Sequence, residues 1–361
     1  MSEALLAANT EIAALSAADN FSGVVRVERG DEVLMESAHG LASRRWKVPV
    51  TARTRFDVAS VTKLFTAVAV LQQVDAGALR LNESIHAYVD LTETAISPAV
   101  TLRHLLSHTA GIADDADEEA GESYEALWVD RPSYSVTQTA DFLPQFVHKP
   151  ALFQPGHGCR YCNVGYILCG LAIERVTGES YRHVVVRDVF GKANMETAGF
   201  FDMREAEPDV AEGWEPVRDE GGGPVKGWRQ NIYSYPPIGS PDGGAHATAA
   251  DLTRFLTAVR EGDLLSPAST NAFLSPHALH HKMTDPAPGA LAELHYALGP
   301  AVELTSDGTV RSIYKEGINV GASAVVRYYP TQEVTLAIVA NSEDGVWGPL
   351  RSLDTVITSV G

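Results

Sequence analysis

Ser60-Val61-Thr62-Lys63 is the stretch of this chain that decides the interpretation of its fold. The apolar segment 56–59 leads into it, and the segment 64–74 follows with apolar residues at helical spacing. If a helix begins near Ser60, the side chains of Ser60 and Lys63 lie one turn apart on the same face. A lysine amine in that position can take the serine proton and make the hydroxyl a nucleophile. The pattern therefore predicts a site for acyl transfer.

Ser-x-x-Lys is a weak signal by itself, because the pattern should occur about once by chance in a chain of this length. A second copy is present at Ser312 to Lys315. The plain interpretation of either copy is a serine at a helix start followed by a solvated lysine. Only Ser60 has the strand-turn-helix surroundings that would expose a nucleophile, so we take the first copy as the functional one.

Bulk composition is that of an ordinary globular protein. The chain has 361 residues, 45% hydrophobic and 20% charged, which is enough for a large core and for two structural domains. The formal net charge of −18 argues against partners such as nucleic acid or an anionic membrane surface. We therefore expect a small-molecule substrate; the sequence does not predict the oligomeric state.

Features of a secreted or metal-binding protein are missing from the sequence. No basic residue precedes Arg26, and no apolar run has the length of a membrane span, so we expect a cytoplasmic protein. Three cysteines fit a reducing compartment, and the spacing of Cys159 and Cys162 has no second pair to complete a zinc site. The histidines at 277, 280 and 281 resemble a loop. We expect no metal and no cofactor.

Strand patterns occur at both ends of the chain, with helix and loop between them. The predicted elements are a helix at 3–17, strands at 22–29 and 32–38, helices at 164–176 and 252–260, strands at 320–329 and 333–340, and a helix at 346–360. This order predicts an α+β fold in which one antiparallel sheet is built from both termini. Residues 1–60 and 246–361 would form the sheet domain, residues 61–245 a mostly helical domain, and the site would lie in the cleft between them.

Two further motifs accompany the Ser-x-x-Lys in order along the chain. Tyr161-Cys162-Asn163 precedes a helical run, and Lys315-Glu316-Gly317 is expected to begin a strand. With these motifs the chain resembles the serine β-lactamase and penicillin-binding-protein superfamily, closest to the class C-like branch with its family VIII esterases and D-aminopeptidases. The segments 101–112, 154–156, 178–181 and 243–244 also resemble that family. The resemblance implies a β-lactamase/transpeptidase-like fold, with an antiparallel sheet flanked by terminal helices and a mostly helical domain.

The resemblance also implies roles for particular residues. Ser60 would be acylated, and Lys63, alone or with Tyr161, would take the serine proton. Tyr161 would pass a proton to the leaving group, and Asn163 would bind Lys63 or the acyl side of the substrate. Burial and the charge of Lys315 would lower the pKa of Lys63, and the two lysines together would favour a tyrosinate.

The rest of the third motif would complete the site. The family resemblance implies an oxyanion hole formed by the backbone N–H groups of Ser60 and Ile318, beside Gly317. Glu316 departs from the Thr or Ser common in the family, and its carboxylate would repel a β-lactam carboxylate. Efficient β-lactam hydrolysis is therefore not expected.

The residues point to an esterase or amidase that forms an acyl-enzyme, with three alternatives left open. An acyltransferase would share the first half-reaction, a β-lactamase or D-aminopeptidase would share the whole site, and a degenerate homologue would only bind. His108 is interpreted as a structural turn residue rather than a general base. The acidic loop 114–122 suggests a neutral or cationic substrate, or simply a solvated surface.

Overall fold

The structure is a computed structural model that describes residues 2–219 and 223–359. The first half of the described chain contains five α-helices and five strands in the order α1, β1–β5, α2–α5, with short 3-10 and π turns between them. The helices are α1 Ser2–Ala17, α2 Thr62–Asp75, α3 Leu102–Leu106, α4 Val164–Thr177 and α5 Tyr181–Val185. The strands are β1 Gly23–Arg29, β2 Glu32–His39, β3 Leu41–Ser43, β4 Val48–Pro49 and β5 Phe56–Asp57.

The second half contains most of the strands. These are β6 Trp214–Val217, β7 Gly227–Gln230, β8 His246–Ala247, β9 Ala278–Lys282, β10 Leu291–Tyr296, β11 Ala301–Thr305, β12 Val310–Asn319, β13 Ala322–Tyr329 and β14 Val334–Ala340. The helices here are α6 Ala249–Glu261, α7 Pro267–Leu274 and α8 Trp347–Thr358. The last helix was predicted to reach Val360, which lies outside the described residues.

An antiparallel sheet with the strand order β2-β1-β14-β13-β12-β11-β10-β9 forms the centre of the molecule. β1 from the start of the chain pairs with β14 from its end, with Val25 opposite Ile338. The predicted α+β sheet built from both termini is thus confirmed. The division into domains at residues 60 and 245 stays a prediction.

Both faces of the sheet are covered, which explains why β14 is buried along its whole length. On one face, Val25 and Ile338 pack with residues of α1 and α8 such as Ile12 and Leu353. On the other, Val339 belongs to the larger core that includes residues of α2 and α6. The alternation of the two sets along each strand follows the two-residue repeat of the pleat.

Two local predictions in the second half were wrong. The histidines at 280 and 281 lie in edge strand β9 and not in a loop, and the strand of the third motif begins at Val310 rather than near residue 314. Ser312 and Lys315, the second Ser-x-x-Lys, therefore lie in β12. Residues three apart in a strand point to opposite faces, so these two side chains do not meet. Ser312 donates instead to a Glu303 carboxylate at 2.6 Å.

Candidate active site

Ser60 lies in a single 3-10 turn, Ala59–Val61, that joins the short strand β5 to α2. Ala59 has a φ of 44°, a left-handed conformation that is rare for a residue with a side chain. The Ala59 N–H donates to Asp57 Oδ1 at 2.7 Å, which helps to hold this turn. Strain of this kind tends to occur at functional sites, where the surrounding structure holds it in place.

Lys63 reaches Ser60 from the first turn of α2. Its Nζ lies 3.0 Å from Ser60 Oγ, 2.7 Å from Asn163 Oδ1 and 2.6 Å from the main-chain oxygen of Asp242. The side chain is completely buried. A neutral amine can donate to the latter two acceptors and still offer its lone pair to the serine hydroxyl.

The environment of Lys63 favours that neutral form. Burial lowers the pKa of Lys63, against the opposing pull of the acidic groups Asp242, Glu118, Asp114 and Asp115. The lowered pKa agrees with the direction expected from the sequence. Lys63 is therefore suited to accept the proton of Ser60.

Tyr161 and Lys315 complete the group around Ser60. Lys315 Nζ donates to Tyr161 Oη at 3.4 Å and lies 4.4 Å from the centre of the Tyr161 ring. Lys63 Nζ lies 5.1 Å from the same ring centre. The four residues of the three motifs, 60, 63, 161 and 315, are thus brought together although they are far apart in sequence.

The protonation of Tyr161 differs from our expectation. Its pKa is raised well above the ordinary value, chiefly by burial and by the nearby charge of Glu118, whereas contact with the Ser60 side chain lowers it. A tyrosinate was expected from the two lysines, and that expectation was wrong. Tyr161 is a neutral phenol that can donate a proton, which leaves Lys63 as the better base.

Gly317 is the point at which β12 meets the Ser60 turn. A Cβ atom added at this glycine would lie 2.4 Å from the Val58 oxygen and 2.6 Å from the Ser60 nitrogen. Any side chain here would displace the turn, because atoms cannot approach so closely. This contact places the exposed Ile318 on the wall of the same cleft. Glu316 is half-buried beside Lys315, and its charge offsets part of the lowering of the Lys315 pKa that burial causes.

A cavity of about 670 Å³ opens at Ser60. Ser60, Asn163, Ile318 and the glycine pair 243–244 line it, so the hydroxyl is open to a space large enough for a small molecule. Among the aromatic residues of the segment 214–235, Tyr235 lines this cavity, whereas Trp214 is buried outside its lining, Trp228 stacks under Arg44 and Tyr233 is exposed.

The acidic loop 114–122 supplies carboxylates that contact Asn163 and the start of α4, a role that the sequence did not reveal. Asp114 is buried and accepts from the backbone N–H groups of Asn163 at 2.7 Å and Val164 at 3.0 Å, so it holds the start of α4. Glu118 accepts from Asn163 Nδ2 at 3.0 Å. Burial raises the pKa of Asp114 to about 6. The interpretation of this loop as a solvated surface is therefore wrong for its first part, where Asp114 and Asp115 are buried.

His108 packs against the Tyr161 ring and does not line the cavity at Ser60. The two ring centres are 4.6 Å apart, and His108 Nδ1 accepts from the Cys162 N–H at 3.1 Å. Burial and the charges of Lys315 and Lys63 hold the His108 pKa well below its ordinary value, so the ring is neutral. Its left-handed φ of 57° fits the expected role as a structural turn residue.

Lys315 should make the stability of the protein depend on pH. Burial and the charge of Lys63 lower its pKa from 10.5 to about 7. Between these values the unfolded chain binds the proton and the folded protein does not, so stability rises with pH across this window. We expect the free energy of unfolding of wild type, relative to Lys315→Met, to increase from about pH 6.5 to about pH 9.5. Urea unfolding of both proteins at several pH values measures this difference in free energy of unfolding. A difference that does not change with pH would contradict the burial of a titrating lysine at position 315.

A profile of the Beta-lactamase family matches residues 8–352, and the chain belongs to that family. A Bacillus subtilis penicillin-binding protein is 25% identical over 90% of this chain and 69% of its own length. Esterase EstB of Burkholderia gladioli is 29% identical over 66% of this chain and 65% of its own length. The family includes serine hydrolases, and this chain spans about two thirds of the length of both relatives.

Solved structures confirm the predicted β-lactamase/transpeptidase-like fold. A penicillin-binding protein from Bacillus halodurans has a TM-score of 0.86 and 32% identity, covering 97% of this chain and 99% of that one. A D-amino acid amidase from Ochrobactrum anthropi has a TM-score of 0.75 and 20% identity, covering 97% and 99%. At that identity the second likeness is one of fold alone.

Two further findings concern the described residues only. No helix within 2–219 and 223–359 is long and apolar enough to cross a membrane. No three histidine, cysteine, aspartate or glutamate side chains in those ranges converge as a metal site would require. The expected cytoplasmic location and the expected lack of metal and cofactor stay predictions.

Proposed function

We propose that this protein hydrolyses a carboxylic ester or amide of a small molecule through an acyl-enzyme on Ser60. The observation that carries the proposal is the buried Lys63 amine, 3.0 Å from a serine hydroxyl that opens onto a cavity. A buried base beside an accessible hydroxyl is the arrangement that nucleophilic catalysis requires.

The first half-reaction would acylate Ser60. Lys63 takes the hydroxyl proton while Ser60 Oγ forms a bond to the carbonyl carbon. The resulting tetrahedral oxyanion would be held by the backbone N–H groups of Ser60 and Ile318, on either side of the contact at Gly317. When the bond to the leaving alcohol or amine breaks, Tyr161 donates its phenol proton to the leaving group. The protonated Lys63 then gives the former serine proton to Tyr161.

The second half-reaction would hydrolyse the acyl-enzyme and regenerate free Ser60. A water molecule gives its proton to Lys63 and attacks the ester carbonyl, and Ser60 leaves with that proton as the acid is released. Esterase EstB and the D-aminopeptidase of Brucella anthropi, the latter 29% identical over 54% of this chain, support hydrolysis as the overall reaction. An acyltransferase remains the alternative, because an amine or alcohol could replace the water.

A fluorophosphonate probe tests the proposal directly. Intact mass spectrometry of the folded protein should show one adduct, and peptide mapping should place it on Ser60. Ser60→Ala should remain unlabelled, while Ser312→Ala, which removes the buried serine of the other Ser-x-x-Lys, should label like wild type. Absence of an adduct on fresh wild-type protein would reject the proposed function.

A further inference from the structure

The start of α4 is capped by side chains from a different part of the chain. The backbone N–H groups of Asn163 and Val164 donate to the two carboxylate oxygens of Asp114, at 2.7 Å and 3.0 Å. The preceding N–H group, that of Cys162, donates to His108 Nδ1 at 3.1 Å. The first N–H groups of a helix have no partner within the helix, and the side chain of Asn163 at this end of α4 does not cap them. Asp114 therefore fixes the main chain at Asn163 with both of its oxygens.

Asp114 lies outside the cavity at Ser60. The residue is only 6% exposed, and it is not among those that line the cavity. Lys149 Nζ donates to the main-chain oxygens of Asp114 and Asp115, both at 2.7 Å, and so holds this part of the loop. A substrate in the cavity would not reach the Asp114 carboxylate, so any effect of this residue on the reaction must pass through other groups of the protein.

Asn163 connects Asp114 to the proposed base. The main-chain N–H of Asn163 is bound by Asp114, and its side-chain Oδ1 accepts from Lys63 Nζ at 2.7 Å. Its Nδ2 donates to Glu118 Oε1 at 3.0 Å, which sets the orientation of the amide. Lys63 Nζ in turn lies 3.0 Å from Ser60 Oγ. A shift of the main chain at Asn163 would therefore move the acceptor that aligns the Lys63 amine with the serine.

Charge links Asp114 to Lys63 as well. The charge of Asp114 is one of those that oppose the lowering of the Lys63 pKa by burial, and the charge of Lys63 in turn opposes the raising of the Asp114 pKa. A buried carboxylate near a buried amine favours the charged form of that amine. The ammonium that forms when Lys63 takes the serine proton is therefore stabilised by Asp114.

Other titratable groups surround these two. Those near Lys63 are Asp242, Glu118, Asp115, Lys315, His108, Cys162, Tyr161 and Tyr166. Those near Asp114, besides Lys63, are Glu118, Asp115, Cys162 and Tyr124. Asp114 differs from the other carboxylates in that it also accepts from the main chain at the start of α4. Its removal should therefore change both the alignment and the charge around the base.

We infer that Asp114 is a positioning residue for the acylation of Ser60: its carboxylate aligns Asn163 with the Lys63 amine, and its charge stabilises the ammonium that Lys63 becomes. The inference rests on the proposed acyl-enzyme function and extends its machinery to a residue outside the three motifs. Asp114 itself exchanges no proton with the substrate.

Asp114→Asn tests the inference through the pH dependence of fluorophosphonate labelling. Asparagine has nearly the same size, but it has no charge and only one oxygen for the two N–H groups. Labelling of Ser60 should become faster with rising pH as Lys63 loses its proton. Without the nearby carboxylate the ammonium is less stable, so we expect the midpoint of this rise to move to lower pH by about one pH unit. Above about pH 8, where Asp114 of wild type is ionised because its pKa is about 6, the variant should be labelled about 10-fold more slowly.

Asp251→Asn is the matched control. Asp251 is also buried and also caps a helix start, since it accepts from the Thr248 N–H at 3.1 Å and the Thr248 hydroxyl at 2.8 Å at the beginning of α6. It does not line the cavity at Ser60. We expect both variants to unfold at lower urea concentration than wild type, because each loses a cap. Only Asp114→Asn should change the labelling midpoint and the labelling rate.

A folded Asp114 variant with the wild-type midpoint would overturn the inference, because loss of a purely structural cap slows labelling without changing the proton affinity of Lys63. If Asp114→Asn does not fold, Asp114→Ser replaces it: serine is neutral, keeps an oxygen for one N–H group and should give the same shift. The proposed function is tested separately by wild type. If wild type is labelled and the midpoint does not move in the variants, only the role of Asp114 is wrong; if wild type takes no adduct, the acyl-enzyme function itself fails.

Discussion

Replacing Lys63 by methionine is expected to slow acylation of Ser60 by roughly 10²- to 10⁴-fold, the usual contribution of a general base. Methionine fills a similar apolar volume but has no amine to accept the serine proton. Tyr161 cannot substitute for it, because its raised pKa keeps the phenol protonated at neutral pH. The measurement is the second-order rate of fluorophosphonate labelling, followed by intact mass, together with hydrolysis of p-nitrophenyl butyrate.

Lys192→Met is the matched control for this change. Lys192 is exposed and forms a surface ion pair with Asp188 at 3.7 Å, so its loss should leave labelling unchanged. Circular dichroism should show that both variants are folded. If folded Lys63→Met is labelled by the fluorophosphonate as fast as wild type, Lys63 is not the base and another group must take the serine proton.

Gly317→Ala is expected to damage both stability and activity. The new methyl group would lie 2.4 Å from the Val58 oxygen, so β12 and the Ser60 turn must separate. Overpacking of this kind costs about 1–3 kcal/mol in free energy of unfolding. Loss of an oxyanion donor costs roughly 10²- to 10³-fold in kcat, and the separation would misplace both proposed donors. Urea unfolding and ester hydrolysis measure the two effects.

Gly227→Ala provides the comparison for that prediction. Gly227 lies in strand β7, and a Cβ atom there would meet no heavy atom within 4 Å. We expect near wild-type stability and activity, because no clash is introduced. If Gly317→Ala had the same stability and activity as Gly227→Ala, β12 would not lie in close contact with the Ser60 turn.

Much of the fold could be predicted because the pattern of apolar residues follows the local period of each element. The helix at 3–17 and the strands near both termini were found with errors of one or two residues at their ends. The middle strands β9, β10 and β11 were missed. Their burial is mixed, with several half-exposed residues, so they lack the alternation that marks a strand with one buried face.

The candidate site could be predicted only as a set of residues. The order of the three motifs nominated Ser60, Lys63, Tyr161 and Lys315, and the structure brings these side chains together. The oxygen of Asp242 that binds Lys63 could not be found in this way. A main-chain carbonyl has no residue type, and nothing in sequence marks which one faces a buried amine.

The sequence by itself determined which chemical groups this protein has and which of them lie one helical turn apart, because that spacing is local. Only the tertiary structure decided their protonation and their surroundings. The pKa of Tyr161 is raised rather than lowered, chiefly because the phenol is buried and lies near the charge of Glu118. Acidic residues from distant parts of the chain likewise meet in one cleft only after folding. Burial and the charges that surround a group depend on tertiary packing, which the order of residues does not show.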